Sequence, residues 1–207
     1  MEELDVNTVI VGVDIGGTAI KMALLNMDGI MLVKTQEPTP VAEGEDGIVQ
    51  KVADMMDHLL QGQGLHREHV AGIGVGVPGT VDGKNGIVRE AVNLNWRSPV
   101  RLRDKLAACT GLLVAVENDA NTATLGEMWQ GSGQGAQDLV MITLGTGVGG
   151  GVICNGQIVE GINGIAGEIG HISMAPEGGP LCNCGKTGCI ETYTSATAFI
   201  RAGREAA

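Results

Sequence analysis

Aromatic side chains are nearly absent: the 207 residues include two tryptophans, one tyrosine and one phenylalanine. The core must therefore be built from Val, Ile, Leu, Met and Ala. Positive charge is also scarce. Thirteen Lys and Arg stand against 24 Asp and Glu, a formal net charge of −11. Nucleic acid and anionic membrane surfaces are poor partners for such a chain. Small anions can still bind locally, through backbone N–H groups, a lysine or a metal. No run is long and apolar enough to span a bilayer. The polar, acidic start of the chain has neither the basic nor the apolar region of a signal peptide. The five cysteines are an odd number without a secretion signal, which argues against a disulfide framework. The expected compartment is the cytoplasm.

Glycine, by contrast, is abundant at 34 residues. It follows no collagen-like period, so it points to tight turns and backbone-lined sites. β-branched runs at residues 9–13, 20–25 and 30–34, separated by glycine turns, predict three antiparallel strands. Ile48, Val52, Met55 and Leu59 share one helical face, which predicts a helix over residues 47–60. A buried strand is expected at 70–77, a helix at 99–109, a strand at 112–116 and a helix at 118–129. The strand–glycine turn–strand–turn–strand pattern then returns at 139–144, 149–154 and 157–159, with Thr143 in the place of Asp14. A last helix is expected from about Glu191 to the chain end. Two related halves, each with a glycine turn, follow from this echo. Their expected bounds are residues 1–117 and 118–207.

Gly145, Gly147 and Gly150 satisfy a G-x-G-x-x-G pattern, but a strand follows the turn where a dinucleotide fold requires a helix. Gly185-Lys186-Thr187 resembles the end of a Walker loop, yet Pro180 occupies its first glycine position. A glycine hairpin can instead hold phosphate oxygens on consecutive backbone N–H groups. Asp14, Thr18 and Lys21 add a carboxylate for Mg²⁺, a hydroxyl and an ammonium. A plain tight hairpin with a solvated aspartate is the alternative. Glu117-Asn118-Asp119-Ala120-Asn121 follows a buried strand, where ligands gather in α/β sheets. Asp119 suits a general base, with Asn118 orienting a substrate; both residues equally suit a helix N-cap. His171-x10-Cys182-x-Cys184-x4-Cys189 offers an imidazole and three thiolates for one tetrahedral Zn²⁺, with no open position and hence a structural role. Glu168 and Glu191 flank this cluster, as readers of a polyol or as supports of the site.

These residues together resemble the ROK family of sugar kinases and regulators. Asp14-Ile15-Gly16-Gly17-Thr18-Ala19-Ile20-Lys21 matches its first phosphate motif, and residues 144–151 match its second. Residues 167–171 and 182–191 match the family signature, zinc ligands included. Asn93-Leu94-Asn95-Trp96 and residues 117–121 resemble the ATP-dependent glucokinases of Gram-positive type. The resemblance implies two ribonuclease-H-like α/β domains of the actin/hexokinase type with a cleft, the second domain incomplete because family chains run longer. It implies ATP with Mg²⁺ as donor, glucose or a related hexose as acceptor, and Asp119 as base for the 6-hydroxyl. It implies sugar contacts from Gly79, Asn93, Asn118, Asp119, Glu168, His171 and Glu191. Phosphate contacts are implied for Gly16, Gly17, Thr18, Lys21, Gly145, Thr146 and Gly147, with Asp14 near Mg²⁺. Homo-oligomers are common in the family. The alternatives are another hexose or N-acetylhexosamine, polyphosphate as donor, an inactive fragment with an unpaired sheet edge, or a transcriptional regulator. Thirteen residues before Asp14 leave too little room for the helix-turn-helix of the last.

Overall fold

The computed structural model describes residues 8–206. The signal-peptide reading falls mainly on residues 1–7 and so lies outside the described residues. Among the described residues no helix is long and apolar enough to cross a membrane. The chain divides into two compact units, one ending at Thr122 and the other starting at Ala123.

The first unit is a five-stranded sheet in the order β3-β2-β1-β4-β7. Strands β1 (Val9–Ile15), β2 (Ala19–Asn26) and β3 (Met31–Pro38) run antiparallel. Strands β4 (Val70–Val77) and β7 (Val114–Asn118) add in parallel beyond β1. Alternate residues of β1, namely Val9, Val11, Val13 and Ile15, are buried, as are Ile20, Met22 and Leu24 of β2. That face packs on helix α1 (Gly44–Gly62), which contributes Ile48, Val52, Met55, Met56 and Leu60, and on α2 (Leu102–Thr110), which contributes Leu102 and Leu106. The aliphatic and Met core expected from the composition is the one found, with Trp96 as its sole large aromatic.

Two expectations need correction, and one hairpin escaped the sequence reading. The helix foreseen from residue 99 starts at Leu102, because Val100 is held in an antiparallel bridge by Val88, with N–H···O bonds of 2.8 and 2.9 Å. The segment before it contains an unforeseen hairpin, β5 (Thr80–Asp82) and β6 (Ile87–Glu90). The terminal helix is broken: α4 (Glu191–Thr194) stops at extended Ser195, whose Oγ accepts from the Ala198 N–H at 3.1 Å and starts α5 (Ala196–Glu205).

The second unit takes up most of α3 (Asp119–Gln130) and a three-stranded antiparallel sheet, order β10-β9-β8. Its strands are β8 (Leu139–Leu144), β9 (Val148–Cys154) and β10 (Gln157–Ile158). The hairpin β8–β9 closes on Leu144 opposite Val148, as β1–β2 closes on Ile15 opposite Ile20. The echo seen in the sequence is therefore an echo in hairpin form, with a loop one residue shorter in the second unit. Where β1 has β4 as its outer neighbour, β8 forms the sheet edge, and Val140, Ile142 and Leu144 on it are more than half exposed.

Candidate functional site

In the first unit the Gly16–Thr18 turn joins β1 to β2. The Gly16 N–H donates to Ala19 O at 3.0 Å, while Thr39, just past β3, donates its hydroxyl to Gly16 O (2.6 Å) and its N–H to Thr18 O (3.1 Å). The N–H groups of Gly17 and Thr18 have no protein acceptor among the described residues. Two adjacent donors are thus left for an anion, in a turn whose Gly16 and Thr18 carbonyls are already tied down. A side chain at Gly17 would bring its Cβ to 2.8 Å from Asn93 O, so the loop carrying Asn93 packs directly on the turn. Asp14 and Lys21 face each other across the strand register, Nζ to Oδ2 3.0 Å. Thr39 escaped the sequence reading. Its signal was a hydroxyl residue between two prolines at the end of a strand that must return beside the turn.

At the end of β7, Asn118 is engaged at both ends of its amide. Its Oδ1 accepts from the N–H groups of Ala120 (2.9 Å) and Asn121 (3.2 Å), capping α3, and its Nδ2 donates to Gly79 O at 3.0 Å. Glu117, also unforeseen, accepts from the Asn118 N–H and from Asn121 Nδ2 at 2.7 and 3.1 Å. Gly79 adopts φ +98°, and a Cβ there would overlap Glu90 O, so the backbone at this corner requires glycine. Asp119 opens α3 with a side chain that reaches solvent. Desolvation by the surrounding protein raises its pKa above the usual carboxylate range. The Ala120 N–H opposes that rise, and the charge of Asp14 adds to it.

The second unit repeats the turn with different supports. Gly145 N–H donates to Gly147 O at 2.9 Å; the start of α5 ties the outer carbonyls, Ala196 N–H to Gly145 O at 2.9 Å and Thr197 Oγ1 to Thr146 O at 2.8 Å. Thr146 and Gly147 keep N–H groups without a protein acceptor among the described residues. The Val148 N–H donates to Glu191 Oε2 at 2.9 Å.

The Cys/His cluster lies between the 3₁₀ turn Ile169–His171 and α4. The ligand atoms of His171, Cys182, Cys184 and Cys189 all fall within 4.8 Å of one another. His171 Nδ1 is 3.5 Å from Cys182 Sγ, and Cys184 Sγ is 3.6 Å from Cys189 Sγ. A tetrahedral zinc site has edges of about 3.6 Å between nitrogen and sulfur and about 3.8 Å between sulfurs, given its usual bond lengths. The donor set therefore fits the ion. Burial first, then the neighbouring thiols, push Cys182 up to about 11. Burial also opposes ionisation of Cys184, but the Lys186 N–H and the other two thiols outweigh it and lower that group. The second ring nitrogen of His171 faces Glu168, 3.7 Å away. The lysine of the rejected Walker pattern donates Nζ to His171 O at 2.9 Å and so serves this loop.

A family model described as ROK family matches residues 10–206. A glucokinase of Halalkalibacterium halodurans is 51% identical over 94% of this chain and 59% of its own length. A glucokinase of Thermotoga maritima is 42% identical over 95% of this chain and 60% of its own. The crystal structure of a ROK family glucokinase from Streptomyces griseus, in complex with glucose and AMPPNP, superposes with a TM-score of 0.79 at 40% identity, covering 95% of this chain and 60% of that one. The chain thus spans about three fifths of the length of these relatives. Its fold is the actin/hexokinase-type α/β fold that the resemblance implies. On this evidence the chain belongs to the ROK family.

Proposed function

We propose that the chain carries the sugar and phosphoryl-transfer residues of an ATP-dependent glucokinase. The 6-hydroxyl oxygen of glucose attacks the γ-phosphorus of ATP, the bond from that phosphorus to the ADP oxygen breaks, and the hydroxyl proton passes to Asp119. The observation that carries this reading is the environment of Asp119: an accessible carboxylate on the first turn of α3, made more basic by its surroundings and by Asp14. The paired free N–H groups at Gly17–Thr18 and Thr146–Gly147 support phosphate binding. Lys21 adds a charge, and Asp14 is the carboxylate for Mg²⁺, which when bound offsets charge on the phosphate oxygens. Sugar contacts are assigned to Gly79, Asn93 and Asn118 in the first unit and to Glu168, His171 and Glu191 in the second. The hydrogen bonds of Asn118 make it a holder of Gly79 and of the start of α3 as much as a direct contact. Zn²⁺ at His171, Cys182, Cys184 and Cys189 is structural, since four protein ligands leave no open position.

A coupled assay for glucose-dependent ADP formation, run on this chain and on a form extended to the length of the relatives, tests the proposal. A sugar and donor panel defines the hexose and separates ATP from polyphosphate. Asp119→Asn with wild-type kcat would remove the base assignment.

A further inference from the structure

The second phosphate turn and the Cys/His cluster meet through one side chain. Glu191 lies two residues after Cys189 and begins α4. Its Oε2 accepts the Val148 N–H at 2.9 Å, and its Oε1 is 3.9 Å from Cys182 Sγ. A Cβ on Gly147 would overlap Oε2 and lie 3.2 Å from the carboxylate carbon. The glycine at 147 is therefore what lets the carboxylate reach the turn. We infer that Glu191 is a positioning residue for the phosphate turn. Its carboxylate is a strut that transmits the fixed geometry of the metal loop to the backbone of Gly145–Val148. This inference rests on the proposed readings of the turn as a phosphate site and of the cluster as a zinc site.

The physical case is one of uneven support. The first turn is held on its carbonyls by Thr39, a residue already locked beside the sheet. In the second turn the carbonyls of Gly145 and Thr146 are held by α5, while, among the described residues, the amide that leads into β9 is held by Glu191 alone. Glu191 is in turn placed by a short loop. Isolated from its cluster, α4 is a single turn of four residues, too short to hold itself. Fixing Cys189 in a tetrahedral site fixes the start of that turn, and so the carboxylate. The two free N–H groups at Thr146 and Gly147 then keep the spacing that an anion needs. Zinc would thus act on the phosphate donor as well as on the sugar side, without touching either.

The test is amide hydrogen exchange over residues 144–149 of the zinc-loaded chain, read beside the affinity for a non-hydrolysable ATP analogue without sugar. Glu191→Ala should speed exchange at Val148 and its neighbours and weaken the analogue roughly 10- to 150-fold, the range for a hydrogen bond to a charged group. Glu191→Gln keeps an acceptor for the Val148 N–H and should restore most of both. Gly147→Ala displaces the carboxylate while leaving the cluster alone. It should reproduce the fast exchange with one zinc per chain retained, which separates the strut from loss of the loop. Chelation should give the same exchange signature. Unchanged exchange at Val148 in both Glu191→Ala and Gly147→Ala would overturn the inference, and so would loss of sugar affinity alone in Glu191→Ala. A wild-type chain that binds no analogue would instead defeat the phosphate reading, and the exchange data would still decide the strut.

Discussion

Replacing Gly79 by alanine tests how tightly the corner between β4 and β5 in the first unit is built. The residue sits at φ +98°, and its missing Cβ would overlap Glu90 O and lie 3.0 Å from Ala91 Cα. Both obstacles are backbone, so no rotamer change relieves them. Gly111, at the C-terminus of α2, provides the control: its φ is +76°, but nothing lies within 4 Å of its Cβ position. Gly111→Ala carries only the backbone penalty, about 1–2 kcal/mol. Gly79→Ala adds overpacking of about 1–3 kcal/mol, for a total of roughly 2–5 kcal/mol. At about 4 °C per kcal/mol for a domain of this size, the melting temperature should fall by roughly 8–20 °C, against roughly 4–8 °C for the control. Trp96, 5% exposed in the first core, reports the transition in a Trp129→Phe background, since Trp129 is 43% exposed. Because Gly79 O accepts from Asn118 Nδ2, sugar affinity should fall further than stability. Equal losses in the two variants, with sugar affinity intact in Gly79→Ala, would refute the reasoning.

Asp119→Asn should reduce turnover by roughly 10²-fold or more. Its effect on stability has the opposite sign. With the folded pKa raised, the native state binds the proton more tightly than the unfolded chain, so stability falls as pH rises through the interval between the two values. Removing the carboxylate should leave the melting temperature at pH 7 equal to or above wild type, and wild-type kcat should rise with pH through the raised pKa. Arg67→Met should cost about 1–3 kcal/mol in urea unfolding, because the guanidinium grips Asp57 and the carbonyls of Cys109 and Thr110. The Asp57 carboxyl is lowered chiefly by its bond to Arg67, so this support is present above the ordinary Asp pKa and lost as pH falls through the lowered one. The variant should therefore show a flatter acid limb. Metal analysis should find one zinc per chain, and Cys184→Ala should lose zinc, stability and sugar affinity together. Normal sugar affinity in that variant would reduce the metal to a staple.

Legibility in the sequence followed the range of the forces involved. The strands around both glycine turns were readable because β-branched runs and glycine punctuation are local signals, and α1 was readable from the spacing of its buried residues. The hairpin β5–β6 was not, because three- and four-residue strands broken by glycines carry too little pattern. Nor was the break at Ser195, where neither glycine nor proline marks the end of α4. The Cys/His cluster was legible from spacing, since its ligands lie within one short loop. For Asn118 the sequence allowed capping or substrate contact, and both ends of its amide proved to be occupied. Thr39 and the bond from Glu191 to Val148 depend on strand register and on a separation of 43 residues, which no local pattern encodes.

The sheet of the first unit draws all five of its strands from residues before Asp119, in one uninterrupted stretch of chain. On the ribosome every one of its pairings is therefore available once β7 has emerged, before the Cys/His loop has been synthesised. Folding can proceed from the N-terminus as the chain lengthens. Truncations ending soon after α3 should yield protease-resistant nascent chains, whereas those ending before β7 should not.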